Sequence, residues 1–352
     1  MPHTPAAPAS PFHTLLKSAH ALLPGLTVAV VVALAATFVA EHYGGPKFLY
    51  ALLIGISLHF LCEQGRCQAG IEFAAKKLVR FGVALLGARI ALADVSALGG
   101  WGVAALAGAV ALTIGFGLLM ARLLAQPAAF GLISGGATGI CGISAAMAIS
   151  ATLPQTEDNE RHTLMTAIGV AALSTVVMVL YPLLVQWAGW PVPLAGLFLG
   201  GAIHDVAQVV GAGNIVSPEV AQAATLAKMM RVAMLVPVVL VLALIFRDEV
   251  AAFARAGGRQ ARRPPLLPLF LLVFVALVVV NSLGWIAAPV QAAAGSASQW
   301  ALVISIAALG VKTSFQKILA LGWRPVALLV SETLFVALFM LAVVALLALN
   351  IR

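Results

Sequence analysis

The sequence predicts an all-α polytopic membrane protein with about eleven transmembrane helices, an inverted repeat and two glycine-broken helices. Three observations lead there. The 352 residues are 62% hydrophobic and 9% charged, with a mean hydropathy of +1.07, whereas soluble domains carry about 25% charged residues. Apolar runs close to the ~20 residues a spanning helix needs recur along the chain, separated by short polar loops. Two of those runs are interrupted: residues 131–142 hold five glycines, and residues 200–213 hold His204, Asp205 and Gln208 between glycine pairs.

The elements follow in order. Residues 1–20 begin rich in Pro and Ala and read as a disordered cytoplasmic tail. Residues 21–352 read as a single transmembrane domain. Its first two spans, 22–40 and 48–62, are separated by Glu41-His42-Tyr43-Gly44-Gly45-Pro46. A loop carrying Arg66, Lys76, Lys77 and Arg80 leads into a third span over 77–95, and the fourth, 98–124, is closed by Gln126-Pro127. The fifth, 128–153, is too glycine-rich for a plain helix, since each interior glycine costs about 1 kcal/mol against alanine. The acidic stretch 157–160 reads as a loop ahead of the sixth span, 164–187. The seventh, 194–210, contains the polar kernel. Ser217-Pro218-Glu219 reads as a helix start, with Ser at the cap and Pro at the first position. It opens the eighth span, which runs to 246 and carries Lys228 and Arg231. A loop with five arginines separates it from the ninth span, 266–286; the tenth and eleventh cover 300–313 and 326–349.

With the N-terminus in the cytoplasm, the basic loops all fall inside and the acidic 157–160 stretch falls outside, as the positive-inside rule asks. The net charge of +8 is therefore a matter of topology. No basic tract is interleaved with aromatics, so nucleic acid is not an expected partner. Cys62, Cys67 and Cys141 offer neither a zinc spacing nor a disulfide framework and read as free thiols. No cofactor and no metal are expected.

Sliding the chain on itself by 223 positions aligns Ala84, Leu86 and Gly87 with Ala307, Leu309 and Gly310, and Ala97-Leu98-Gly99 with Ala320-Leu321-Gly322. Arg89 then meets Lys312, and Phe116 meets Phe339. The repeat-related parts are 81–124 and 304–347. The third and tenth spans stand an odd number apart, so the repeat is inverted. Many secondary transporters are built this way, with binding at the midplane where broken helices meet.

Two clusters carry the chemistry. At 135–144, a broken helix exposes the N–H groups and the positive dipole end of its second half, a site for an anion. Thr138, Gly139, Cys141, Gly142 and Ser144 are its candidate substrate-binding residues; close packing of small residues is the plain alternative. At 200–213, Asp205 with His204 is the candidate ion-coupling pair, because ionisable groups at bilayer depth mark ion pathways. The alternative is a structural His–Asp hydrogen bond. Gln208, four residues from His204 and on its face, joins the substrate candidates. Lys228 and Arg231, three apart on one helix, are the cations expected to hold the anion, or to form an internal salt bridge with Asp205 or Glu332. An enzyme is not expected, since His204 has no recognisable nucleophile to serve.

The stretches 139–146 and 200–213 resemble the signature segments of the YeiH-type family of bacterial inner-membrane proteins, which carries the label sulfate exporter. Leu85-Leu86-Gly87-Ala88-Arg89 and Lys228-Met229-Met230-Arg231 are similar as well, and the resemblance runs from about residue 25 to the end. It implies a polytopic inner-membrane transporter of sulfate or a related small anion. The residues and the resemblance together lead to one expectation: an exporter or exchanger of a small, sulfur-containing anion. It would be coupled to an ion gradient by alternating access, in the bacterial cytoplasmic membrane, with a homodimer as the candidate assembly. The alternative is a proton- or sodium-coupled cation antiporter with Asp205 as the ion carrier.

Overall fold

The computed structural model describes residues 11–63, 65–93, 99–256, 268–314, 316 and 320–351. Among them every regular element is helical. Six helices are long and apolar enough to cross a membrane: His20–Tyr43, Gly99–Leu123, Glu157–Ala188, Pro218–Ile245, Ala288–Lys312 and Trp323–Leu349. The chain is thus an all-α, multi-pass membrane protein. Four shorter apolar helices accompany them, Lys47–Ser57, Val192–Ala202, Val206–Val216 and Leu269–Ser282. Two compact units emerge, 1–79 with 303–312, and 80–302 with 313–352.

In the first unit, α1 (Pro11–Tyr43) packs against α2 (Lys47–Ser57) and, past a single turn α3 (Phe60–Glu63), against α4 (Gln68–Phe73). The first helix begins at Pro11, inside the stretch 1–20 expected to be disordered. Proline is well suited to a first helical turn, and Leu15, Leu16, Lys17 and Ala19 are good helix formers. Gly25 of α1 lies against Gly70 of α4, where a Cβ on either would strike the other's backbone. In a bilayer such close approach supplies van der Waals contact where no hydrophobic drive exists between helices.

The second unit holds most of the remaining elements; the wide turn Ala74–Leu78 and residues 303–312 at the end of the helix Ala288–Lys312 belong to the first. Past the wide turn Ala74–Leu78 come α5 (Val79–Leu86) and the tight turn Gly87–Arg89. Then follow α6 (Gly99–Leu123), α7 (Ala128–Gly139), α8 (Ile143–Ser150), α9 (Glu157–Ala188), α10 (Val192–Ala202) and α11 (Val206–Val216). Next are α12 (Pro218–Ala233), α13 (Leu235–Ile245), α14 (Arg247–Arg255), α15 (Leu269–Ser282), α16 (Ala288–Lys312) and α17 (Trp323–Ile351). The third helical stretch starts earlier than the expected 77–95 and ends at Arg89. Residues 94–98 lie outside the described ones, as do Lys317 and the arginines at 259–263.

The local chemistry explains several boundaries. The acidic stretch expected as a loop is the first turn of α9: the Thr156 side chain accepts from Asn159 N, and Glu157, Asp158 and Glu160 complement the positive dipole end. At α12 the Ser217 side chain accepts from Val220 N and Pro218 occupies the first position, as the sequence foretold. Around this frame α12 packs against both α10 and α11, while α17 packs against α6, α7, α9 and α10. Those contacts bring four helix ends together in one place.

Candidate functional site: a junction of four helix ends

The junction begins with two interruptions of backbone hydrogen bonding. α7 ends at Gly139, Ile140 leaves the helical region, and Gly142 takes φ +68°, ψ −130° before α8 starts. That conformation is open to glycine and strained for any other residue. Between α10 and α11, Ile203 and Asp205 are extended. Each interruption leaves carbonyls without partners at one end and N–H groups without partners at the other. Buried away from water, an unpaired backbone group costs free energy comparable to a lost hydrogen bond, so something must answer them.

The carbonyls are answered by Lys228 and Arg231, both fully buried on α12. Lys228 Nζ donates to Ile140 O at 2.7 Å and Ile203 O at 2.8 Å. Arg231 Nε donates to Gly139 O at 2.8 Å, and Nη2 donates to Thr138 O at 2.8 Å and to Gly139 O. Its Nη1 donates to Gly200 O at 3.1 Å, Gly201 O at 2.5 Å and Ile203 O at 3.2 Å. Every nitrogen of the guanidinium is engaged on the C-terminal ends of α7 and α10. Each such end carries roughly half a negative charge, which a cation there neutralises. The two cations expected to hold a ligand thus hold the two half-helices, because those carbonyls are fixed and in reach.

The N–H side is different. Asp205 Oδ1 accepts from Ala207 N at 2.8 Å, capping α11, and its own N–H donates to Ser174 Oγ at 3.3 Å. A Cβ on Gly142 would lie 3.9 Å from Asp205 Oδ2 and from His204 O, so the carboxylate stands beside the start of α8 as well. Asp205 is half-buried, Cys141 is buried in the break, and Ser144 in the first turn of α8 is exposed. Gln208 Nε2 donates to Thr175 Oγ1 at 3.1 Å, while its Oε1 is buried without a hydrogen-bond partner among the described residues. His204 Nε2 lies 3.0 Å from Thr333 Oγ1. The Thr333 hydroxyl proton goes to Leu329 O at 2.8 Å, so the ring nitrogen must be the donor. In the neutral ring Nδ1 then carries a lone pair, and it is buried without a hydrogen-bond partner among the described residues.

A family model described as conserved hypothetical protein 698 matches residues 21–329. The chain belongs to that family. Relatives named UPF0324 membrane protein share its length: one from Rhizobium meliloti (strain 1021) is 48% identical over 91% of this chain and 91% of its own. One from Chlorobaculum tepidum is 46% identical over 90% of this chain and 88% of its own. The UPF0324 membrane protein TauZ of Paracoccus denitrificans is 48% identical over 91% of this chain and 94% of its own. No solved structure matches. The likeness to the YeiH-type family read from residues 139–146 and 200–213 therefore holds across the chain.

In this UPF0324 family member, Thr138, Gly139, Cys141, Gly142, His204, Asp205, Gln208, Lys228 and Arg231 all reach the junction, and Ser144 faces outward from its edge. Further polar residues join from α9 and α17, of which the sequence singles out Glu332 alone, as a counter-charge. Ser174 and Thr175 come from α9, and Glu332 and Thr333 from α17. Their one sequence signal was polarity inside an apolar span, strongest for the lone glutamate of 326–349. Thr and Ser are too common in membrane helices to stand out.

Proposed function

We propose that this protein is a secondary transporter of a small anion, sulfate or a related sulfur-containing anion, and not an enzyme. In this reading it works in the bacterial cytoplasmic membrane with its N-terminus inside. Charge at the junction supports an anion. The half-charges of the two C-termini and the two N-termini offset one another, and Lys228 and Arg231 then exceed Asp205 by one positive charge. The observation that carries the reading is the position of the Asp205 carboxylate. It occupies the place an anion would take, at the start of α11 and beside the start of α8.

Coupling follows from that position. Protonating Asp205 withdraws its charge from the two helix starts and opens them to an external anion, so proton and anion load together. No Walker-type phosphate loop occurs in the sequence, and an ion gradient supplies the energy. Alternating access rests on the inverted repeat, α5 and α6 against the end of α16 and α17, in the eleven-span topology with discontinuous helices at bilayer depth. Gly99 and Gly322, 223 positions apart, support the repeat: both have positive φ, +65° and +88°, and each stands at the start of a long helix.

A second reading is a cation antiporter. The buried Oε1 of Gln208, without a hydrogen-bond partner among the described residues, favours it, since this oxygen, the Asp205 carboxylate and the hydroxyls of Ser174 and Thr175 are hard ligands for a small cation. Radiolabelled sulfate flux in proteoliposomes under an imposed pH gradient separates the two. In the anion reading wild-type protein accumulates sulfate down the proton gradient, and Asp205→Asn still exchanges sulfate but responds less to the gradient. In the cation reading no sulfate moves, and Asp205→Asn abolishes sodium or proton flux.

A further inference from the structure

Glu332 lies on α17 about 14 Å from the helix start at 1.5 Å per residue, about a third of the way along it. It is fully buried. Ser134 Oγ donates to its Oε1 at 2.6 Å and Thr138 Oγ1 to its Oε2 at 3.2 Å. Gly117 of α6 stands against the carboxyl, with room for no side chain: a Cβ there would lie 2.6 Å from Oε1. Among the described residues no lysine, arginine or histidine nitrogen comes within 4.0 Å of it. Two hydroxyls alone are a meagre solvation shell for an ion at bilayer depth. The same hydroxyls serve a neutral acid equally well. Ser134 Oγ also lies 3.4 Å from Gly131 O, so it can turn its proton to that carbonyl and accept one from the carboxylic acid instead. The cluster is wired for both protonation states.

It is also wired to the junction. Thr138 gives its hydroxyl to Glu332 and its carbonyl to Arg231. The next residue, Thr333, holds the ring of His204. Other elements packed on α17 add no nearer charge. α7 and α10 carry no titratable side chain, α6 has Arg122 in its last turn, and α9 has its charged residues and His162 in its first two turns. The charged group in communication is Arg231, through Thr138.

We propose that Glu332, with Ser134 and Thr138, is a proton-binding site that sets the charge of the junction. Ionised, Glu332 cancels the surplus positive charge left by Lys228 and Arg231; protonated, it restores that surplus. The link to anion loading rests on the transporter reading above, whereas the proton site itself does not. The test reads the carboxyl directly. Infrared difference spectra of the full-length protein in lipid nanodiscs, taken across a pH series, report the C=O stretch of a protonated acid. The expected result is a titrating acid band that is lost in Glu332→Gln and kept in Asp205→Asn. Ser134→Ala, which keeps the carboxyl, moves that band to higher frequency because the acid O–H loses its acceptor. A band that persists in Glu332→Gln, or that is unmoved in Ser134→Ala, overturns the proposal. The band is present or absent whatever the protein transports, so a failed sulfate flux and a failed titration are separate results.

Discussion

Arg231 is the residue on which the two interrupted helices depend. Its guanidinium answers five carbonyls from two chain segments with a fixed planar fork. A lysine there keeps the charge but offers three donors from one nitrogen, and a fully buried alanine offers none. Each buried carbonyl left unpaired costs about 1–3 kcal/mol. Arg231→Lys is therefore expected to lower the unfolding temperature of detergent-solubilised protein in sulfate-free buffer, and Arg231→Ala to lower it further. Stability of Arg231→Lys equal to wild type without anion would place the guanidinium on a ligand instead. The residue types at this site were legible in the sequence: a buried cation pair, a His–Asp kernel and a glycine-dense break all stood out from their apolar surroundings. Their partners were not. Periodicity places Lys228 and Arg231 on one face, but the carbonyls they serve come from Thr138 to Ile140 and Gly200 to Ile203, and backbone ends leave no mark in a side-chain pattern. Glu332 was legible only as a counter-charge, because its hydroxyl donors lie nearly two hundred residues away.

Among the elements, α12 has the most exacting role, since it carries both cations and must lie close enough to α10 for them to reach its end. Glycines on α10 make that approach. A Cβ on Gly200 would strike Ala224 O and lie 3.0 Å from Lys228 N, and one on Gly196 would meet Ala223. Gly200→Ala pushes α12 outward and withdraws Arg231 from Gly200 and Gly201. Overpacking of this kind costs about 1–3 kcal/mol. Gly115, within α6, has nothing within 4 Å of a built Cβ. Gly115→Ala should be neutral or gain up to about 1 kcal/mol from helix propensity. Thermal unfolding of the two variants in one lipid mixture compares them directly, and equal melting would show that α10 and α12 need no close contact. The sequence gives both glycines the same appearance. Most long apolar helices were legible from hydropathy alone, and so was the Ser217 cap. The start of α9 was misplaced because acidic residues after Thr156 look like a loop until the threonine is seen to cap a helix.

At the scale of the whole molecule, two carboxyl groups stand on the two sides of one charge balance. In the proposed mechanism Asp205 competes with an anion for the helix starts, and Glu332 acts on the cations behind them. Both are favoured in the neutral form when an anion arrives, so binding should draw protons from solution, and by reciprocity lower pH should tighten binding. Sulfate binding by calorimetry in buffers of different ionisation enthalpy measures that uptake. At a pH where both groups are ionised in the empty protein, uptake should approach about two protons per sulfate in wild type. It should fall to about one in Asp205→Asn or Glu332→Gln alone, and to none in the double variant, whose affinity no longer varies with pH. The two single variants separate the roles further. Asp205→Asn removes a competitor for the site and should bind sulfate at least as tightly as the protonated wild type. Glu332→Gln leaves Asp205 in place, so its binding should still weaken as the pH rises. A wild type that binds sulfate with no proton uptake would break the link between the two carboxyls and the anion, whatever the infrared spectra show of Glu332 itself.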